Sequence, residues 1–398
     1  MAPRRAARGG HVRSRELRKY FFVSGVMSLG YGSVYTLLAD IRDRFGFAGW
    51  QVGLISFAGF ATGFAAQVFL ARYADRGYAA HMVRAGIGAA ALGMAATVVA
   101  THLWQWIGAR LLLGLGSGMV GPAIRRVVIA RDPANVGANL GQQASFDVGG
   151  FVMGPLLAAA LVETIGLRAP FAFLAVLYLV VLLVAWRLDL HAGVRSTERR
   201  VVRGLLARAP MQAALFASIA FYITIGMFEA VWSLLLKDLG AGTWLVGLTL
   251  SVFTVPMVLL APLGGRSAQR RGPMRVVTIS IALATVCTLS YGLVPLWLVL
   301  AVSAVHATAD SFTMPSNQVA VAMSSPHDQL AAGQGLLGAV GLAVAGLTAL
   351  AGSAVYGSAG RAALFGGTAA AMGLFLALAA WRGRALMTPA GAALTAPA

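Results

Sequence analysis

The 398-residue chain has one cysteine, Cys287, so it can form no internal disulfide. Acids are scarce: 13 Asp and Glu face 31 Lys and Arg, and charged residues of both signs reach only 11%. Soluble globular domains carry about 25%, so a large water-soluble domain is excluded. The six histidines are scattered, with no H-E-x-x-H pair, and no metal is expected. G-x-S-x-G and an ATP-binding glycine loop are also missing. Neither an enzyme nor a cofactor is therefore expected. Before Tyr20 there is no short apolar core with a small-residue cleavage site, and no removable leader is expected.

What is abundant is apolar. Hydrophobic residues make up 59% of the chain, and mean hydropathy is +0.78. Runs long enough to cross a hydrocarbon core of about 30 Å recur throughout. Twelve spans are predicted, at 20–41, 49–71, 82–101, 104–127, 138–161, 168–187, 210–236, 244–265, 274–293, 295–321, 329–353 and 360–381. Forty-eight glycines suit close helix contact in lipid, where small residues replace hydrophobic burial as the packing device. The net charge of +18 suggests nucleic acid until the basic residues are placed. Only Arg42, Arg44, Arg168, Lys237 and Arg361 fall in outer connections, and Arg110 lies within a span. The other 25 of the 31 fall on one side. That asymmetry predicts a cell-membrane protein with both termini cytoplasmic, in contact with anionic lipid and binding no nucleic acid.

The chain also repeats itself. Trp50-x-Val52-Gly53-Leu54 returns 194 residues later as Trp244-x-Val246-Gly247-Leu248. Arg76 is echoed by Arg270, Pro122 by Pro315, Gly141-Gln142 by Gly333-Gln334, and Arg168 and Phe171 by Arg361 and Phe365. Ordered landmarks at offsets of 192–194 residues point to two similar helical bundles. The expected organisation is a basic tail at 1–19, a six-helix bundle at 20–187, a linker at 188–209, a second bundle at 210–382 and a disordered tail at 383–398.

Two inner connections carry related motifs. Ala71-Arg72-Tyr73-Ala74-Asp75-Arg76-Gly77 lies between spans two and three, and Gly265-Arg266-Ser267-Ala268-Gln269-Arg270-Arg271-Gly272 between spans eight and nine. Both resemble the inner-loop signature of the major facilitator superfamily, G-x-x-x-D-R-x-G-R/K. Span four has Arg110-x3-Gly114-x-Gly116, similar to the fourth-span arginine motif of proton-linked members. Span five has Gly150-x3-Gly154-Pro155, which resembles the antiporter motif of exporters. The resemblance covers roughly 20–385. It implies an all-α membrane fold of twelve helices in two pseudo-symmetric bundles, like the twelve-span drug:proton antiporters. It also implies a conformational latch at Asp75, Arg76, Arg266 and Arg270, an ordinary charged turn being the alternative. The first loop is expected to hold the latch through Asp75 and Arg76 facing the second loop. Gln269 is expected to matter little. Gly116-x-Gly118-x-x-Gly121 matches a dinucleotide fingerprint but lies within an apolar span, where helix packing is the better account.

Ionisable groups at membrane depth are functional candidates by default. Arg110, Asp147, Glu229 and Asp310 are the candidates for proton coupling. In span ten Ser303, His306, Asp310, Thr313 and Asn317 follow at spacings of 3, 4, 3 and 4, which puts them on one helical stripe. Such a stripe lines either a cavity or a hydrogen-bonded seam between helices. Tyr31 and Tyr35 in span one, and Tyr222, Glu229 and Trp232 in span seven, join His306, Asp310 and Asn317 as expected substrate contacts. Asp40 is either a partner of Arg110 or solvated. Aromatic faces beside an acid suit a lipophilic cation, and a buried carboxylate can exchange a proton for one. The expectation is a monomeric secondary transporter that binds a small molecule and protons and exports a lipophilic or cationic compound by proton antiport. Export or flipping of an amphiphile or a metabolite, and proton symport, are alternatives within that class. A membrane-embedded enzyme is the alternative outside it.

Overall fold

The computed structural model describes residues 3–47, 49–191, 193–198 and 201–389. The side chains of residues 3–15, Tyr35, Trp50, Glu229 and Trp244, with those of a few further helical positions, lie outside the described set. One landmark pair of the repeat, Trp50 and Trp244, is thus outside it. So are residues 390–398 of the expected tail.

Among the described residues the secondary structure is helical, with no strand. The helices are α1 (Pro3–Thr36), α2 (Leu38–Phe45), α3 (Gly49–Ala65), α4 (Ala71–Tyr73), α5 (Ala79–Val99), α6 (Leu103–Arg131), α7 (Val136–Thr164) and α8 (Ala169–Trp186). After the linker come α9 (Val201–Leu206), α10 (Ala209–Asp238), α11 (Thr243–Arg271), α12 (Pro273–Tyr291), α13 (Leu296–Ser324) and α14 (Leu330–Arg382). Nine helical stretches among the described residues are long and apolar enough to cross a membrane. One of them, Leu54–Val99, covers most of two of the expected spans, 49–71 and 82–101. The expected spans at 20–41 and 244–265 are helical within α1–α2 and α11.

Local chemistry sets the breaks. Gly77 has φ +98° where the chain turns into α5, a conformation that costs a side chain strain and glycine nothing. Gly360, at φ +79°, interrupts the 53-residue α14 between the last two expected spans. The Gln105 side-chain oxygen accepts from the backbone N–H of Thr101 and His102, at 2.7 and 3.0 Å, and so closes the start of α6.

The chain divides into two units. Unit 1 holds residues 1–132, 146–199 and 327–335; unit 2 holds 133–145, 200–326 and 336–398. Each half of the sequence therefore lends the start of one helix to the other unit. In unit 1, α6 packs on α3 and α5 through glycine. A Cβ on Gly114, Gly116 or Gly118 would collide with the backbone carbonyl of Gly59, Gly86 or Gly63 respectively. Gly116 and Gly118 are the first two glycines of the dinucleotide-like pattern, and their work is close helix contact.

Outward faces carry large apolar side chains. Leu183, Leu259, Ile279 and Leu350 are all more than 60% exposed, which suits hydrocarbon rather than water. Each unit also has an exposed tryptophan near either end: Trp104 and Trp186 in unit 1, Trp297 and Trp381 in unit 2. Arg84 lies 4.4 Å over the Trp186 ring and Arg382 lies 4.6 Å over the Trp381 ring. This is the pattern of interfacial aromatic anchors.

Candidate functional site

Asp75 belongs to the turn Ala74–Tyr78 that leads into α5, and its side chain is 1% exposed. Oδ1 accepts from Arg126 Nε at 2.9 Å and from the Ala331 backbone N–H at 2.9 Å; Oδ2 accepts from the Ala332 N–H at 2.8 Å. Ala331 and Ala332 stand in the first turn of α14, where free N–H groups and the helix dipole favour an anion. A buried carboxylate is tolerable here because three donors converge on it.

The second loop repeats the device with a neutral group. Gln269 Oε1 accepts from the Gly137 N–H at 2.9 Å in the first turn of α7, and its Nε2 donates to the Ala134 carbonyl. A Cβ on Gly137 would strike the Gly265 carbonyl, so glycine at both positions permits the approach. Gln269 thus does more than its lack of charge leads one to expect, because an amide oxygen can cap a helix N-terminus as a carboxylate does. Asp75 reaches α14, while Arg76 Nη2 donates to the Glu198 carbonyl at 3.3 Å and its guanidinium lies 5.3 Å over the Tyr73 ring. Arg266 and Arg270 are exposed. Gln269→Ala is expected to lower thermal stability by about 1 kcal/mol, the usual worth of a helix cap. A melting curve unchanged from that of the parent protein would show that the cap contributes nothing.

The polar segment after α8 is docked on unit 1. Ser196 N–H donates to the Asp75 carbonyl at 3.0 Å, and Arg126 Nη2 donates to the Val194 carbonyl at 2.9 Å. Tyr20 Oη donates to the Asp189 carbonyl at 2.5 Å, and Arg131 pairs with the Asp189 carboxylate. The His191 backbone N–H, and after it Arg131, hold the Asp189 carboxyl below the usual range. Composition alone marks this stretch as a linker; its backbone hydrogen bonds make it a strap. Arg126 ties the strap to Asp75, which in turn holds the α14 first turn, and the sequence pattern shows it only as one of a basic pair with Arg125.

In unit 1, Arg110 on α6 is 1% exposed, its guanidinium 5.2 Å over the Tyr31 ring and against Gly59. Asp40 is exposed. Asp147 on α7 is half-buried, near the Ser24 hydroxyl and Arg125. The Gly150–Pro155 motif packs α7 on α1. A Cβ on Gly150 would meet the Gly25 carbonyl, one on Gly154 the Leu29 carbonyl, and Ser33 Oγ donates to the Gly154 carbonyl at 2.9 Å.

In unit 2 the span-ten stripe lies on α13 with all five side chains at 7% exposure or less. Thr313 Oγ1 donates to Ser280 Oγ at 2.7 Å, and His306 Nδ1 lies 3.0 Å from Tyr291 Oη. Both partners are on α12, so that part of the stripe is a hydrogen-bonded seam. His306 Nε2 faces Asp310 Oδ1 at 3.7 Å. Among the described residues neither Asp310 oxygen, nor either polar atom of the Asn317 amide, has a hydrogen-bond partner. Aromatic rings enclose the histidine: Phe228 at 5.2 Å, Tyr291 at 5.8 Å and Phe253 at 6.1 Å between centroids. Trp232 stands 4.9 Å from Phe228 and donates from Nε1 to Thr249 Oγ1 at 3.2 Å. Tyr222 is half-buried, its ring against Gly341. The side chains of Tyr35 and Glu229 lie outside the described residues. Tyr291, Thr249 and Phe253 come from helices with no polar stripe, so no sequence signal marks them.

The family model described as Major Facilitator Superfamily matches residues 20–213 and 214–393. Multidrug resistance protein MdtG of Dickeya zeae (strain Ech586) is 25% identical over 322 residues, 77% of this chain and 78% of that protein. The protein of the same name from Rahnella sp. (strain Y9602) is 27% identical over 219 residues, 51% of this chain and 53% of that protein, about half its length. Among solved structures, the Major Facilitator Superfamily transporter FucP in the outward conformation aligns with TM-score 0.76 at 15% identity, over 92% of this chain and 98% of that one. The human organic anion transporter MFSD10 aligns with TM-score 0.70 at 17% identity, over 92% and 99%. At such identities the structural likeness speaks to fold alone.

Proposed function

The chain belongs to the Major Facilitator Superfamily, and from that premise we propose that it exports a lipophilic, cationic small molecule in exchange for protons, by alternating access. As a member of that family it is a multi-pass membrane protein and a secondary transporter rather than an enzyme. The finer reading rests on one observation: a fully buried acid, Asp310, stands beside His306 within a box of Phe228, Trp232, Phe253 and Tyr291. An anionic centre behind aromatic faces attracts a desolvated cation strongly, and the same carboxylate can hold a proton instead. Cation and proton then compete for one site, which is all that one-for-one exchange requires.

In this reading Asp310 exchanges the proton, Trp232, Tyr222, His306 and Asn317 contact the cation, and Glu229 takes part in both. Arg110 and Asp147 serve coupling in unit 1, with Tyr31 and Tyr35 beside the substrate. The Gly150, Gly154 and Pro155 contact supports export, as do relatives that carry the name multidrug resistance protein. Asp75, with Arg126 and the α14 first turn, acts as the inner latch. The protein works as a monomer in the cell inner membrane with both termini cytoplasmic, an orientation that rests on the one-sided basic charge.

Proteoliposomes loaded with the fluorescent cation ethidium test the reading. An imposed pH gradient should drive ethidium against its own gradient, and ethidium movement should carry protons the other way. Ethidium flux that ignores the pH gradient would remove the antiport mechanism.

A further inference from the structure

We propose that Tyr291 and His306 are positioning residues for Asp310: the phenol selects the imidazole tautomer whose remaining N–H is presented to the carboxylate. This inference rests on the proton exchange at Asp310 proposed above. Tyr291 is the last residue of α12, fully buried, and its ring lies nearly parallel to the imidazole, at 13°. His306 and Asp310 stand one turn apart on α13 and are buried to 0% and 1% exposure.

The imidazole is confined. Phe228 of α10 and Phe253 of α11 pack against it edge to face. Its two nitrogens therefore meet two fixed partners, Tyr291 Oη at 3.0 Å and Asp310 Oδ1 at 3.7 Å. Cys287, one turn before Tyr291, is within electrostatic reach of Asp310. No Lys or Arg among the described residues forms an ion pair with Asp310. The side chain of Glu229, on α10, lies outside the described residues.

A neutral imidazole has one N–H and one acceptor nitrogen. With the proton on Nδ1, it donates to the phenol oxygen, and the Nε2 lone pair points at Asp310. That arrangement opposes an ionised carboxylate and suits only the protonated acid. With the proton on Nε2, the phenol donates to Nδ1, and Nε2–H points at Oδ1. Only this second arrangement matches the charge that attracts a cation and that a proton later neutralises. A hydroxyl at Tyr291 is what holds it, because among the described residues the phenol is the one group at hydrogen-bond distance from Nδ1. The 3.7 Å contact is longer than a hydrogen bond; a small turn of the ring that brings it to about 3.0 Å completes the chain from Tyr291 to Asp310.

Tyr291→Phe keeps the edge-to-face contacts with Phe365 and Trp232 and removes only the hydroxyl. In proteoliposomes, the pH profile of gradient-driven ethidium transport should move by about one pH unit, a tenfold change in the proton equilibrium. Ethidium counterflow, which needs no net proton movement, should fall by less than driven transport does, since proton equilibrium is bypassed. His306→Gln, whose amide can still accept from the phenol and donate to the acid, should lie nearer the parent profile than His306→Leu. A parent-like profile in Tyr291→Phe, with Asp310→Asn inactive in driven transport, overturns the positioning role and leaves the antiport reading standing. Equal losses of counterflow and driven transport in Tyr291→Phe overturn it too, since the hydroxyl is then structural. Driven transport that survives in Asp310→Asn overturns the assignment of the exchanged proton to Asp310, and the positioning role with it.

Discussion

Asp310→Asn should erase pH-driven accumulation of ethidium, and it should weaken counterflow less completely, through the lost attraction for the cation. The argument is thermodynamic. A gradient of one pH unit stores about 1.4 kcal/mol per proton, enough for a tenfold concentration ratio in one-for-one exchange. Harvesting it requires a group that binds the proton in place of the cation, and an amide at the position of Asp310 cannot do so. The accumulation ratio should therefore fall from about ten to about one. Asn is close to isosteric, and Asp310 has no hydrogen-bond partner to lose among the described residues, so folding should survive. Steady accumulation near the parent ratio in the variant would assign the coupling to another acid, Asp147 or Glu229 first.

Asp75→Asn is expected to have the next largest effect, on a different observable. The carboxylate gathers Arg126 and two N–H groups of α14 in a setting that water does not reach. An amide offers one acceptor where three donors converge, and its own NH2 then opposes one of them. The loss of charge-assisted bonds should cost about 1–3 kcal/mol. If the contact forms in only one state of the cycle, that cost moves a two-state population by roughly 5- to 150-fold. Hydrogen exchange at Ala331 and Ala332 should accelerate by a similar factor, and ethidium turnover should fall without comparable loss of expression. Unchanged protection of those two amides would mean that the aspartate does not hold the α14 first turn.

Much of this architecture is legible in the sequence because lipid imposes a simple rule. Each crossing needs its own run of apolar residues, and each break needs polar or glycine-rich chain. Hence the expected boundary at 353–360 lands on Gly360, and the stripe from Ser303 to Asn317 is found buried on one side of α13. What helical spacing cannot say is which neighbour a face will meet. The α13 stripe bonds to Ser280 and Tyr291 on α12, and nothing in α12 itself announces that pairing. The second loop failed for a different reason. A latch read by charge alone overlooks Gln269, which has none; a helix N-terminus needs an acceptor and not necessarily an anion. The strap at 188–198 was hidden because its attachments are mostly backbone carbonyls and amides, which every residue possesses.

The tryptophans at the helix ends have a consequence for how the molecule meets its solvent. Each unit carries one near either end, so each is referenced to both faces of the bilayer by its own pair of anchors. Sliding a unit along the membrane normal would drag one indole into hydrocarbon and the other into water. Tilting costs much less, because both rings can stay at the headgroup level. Lipid then acts as a bearing that permits rocking and resists piston movement. Bilayer thickness becomes a setting of the machine: short-chain or long-chain lipids should change turnover through the angle each unit prefers, with no change in any residue at the site.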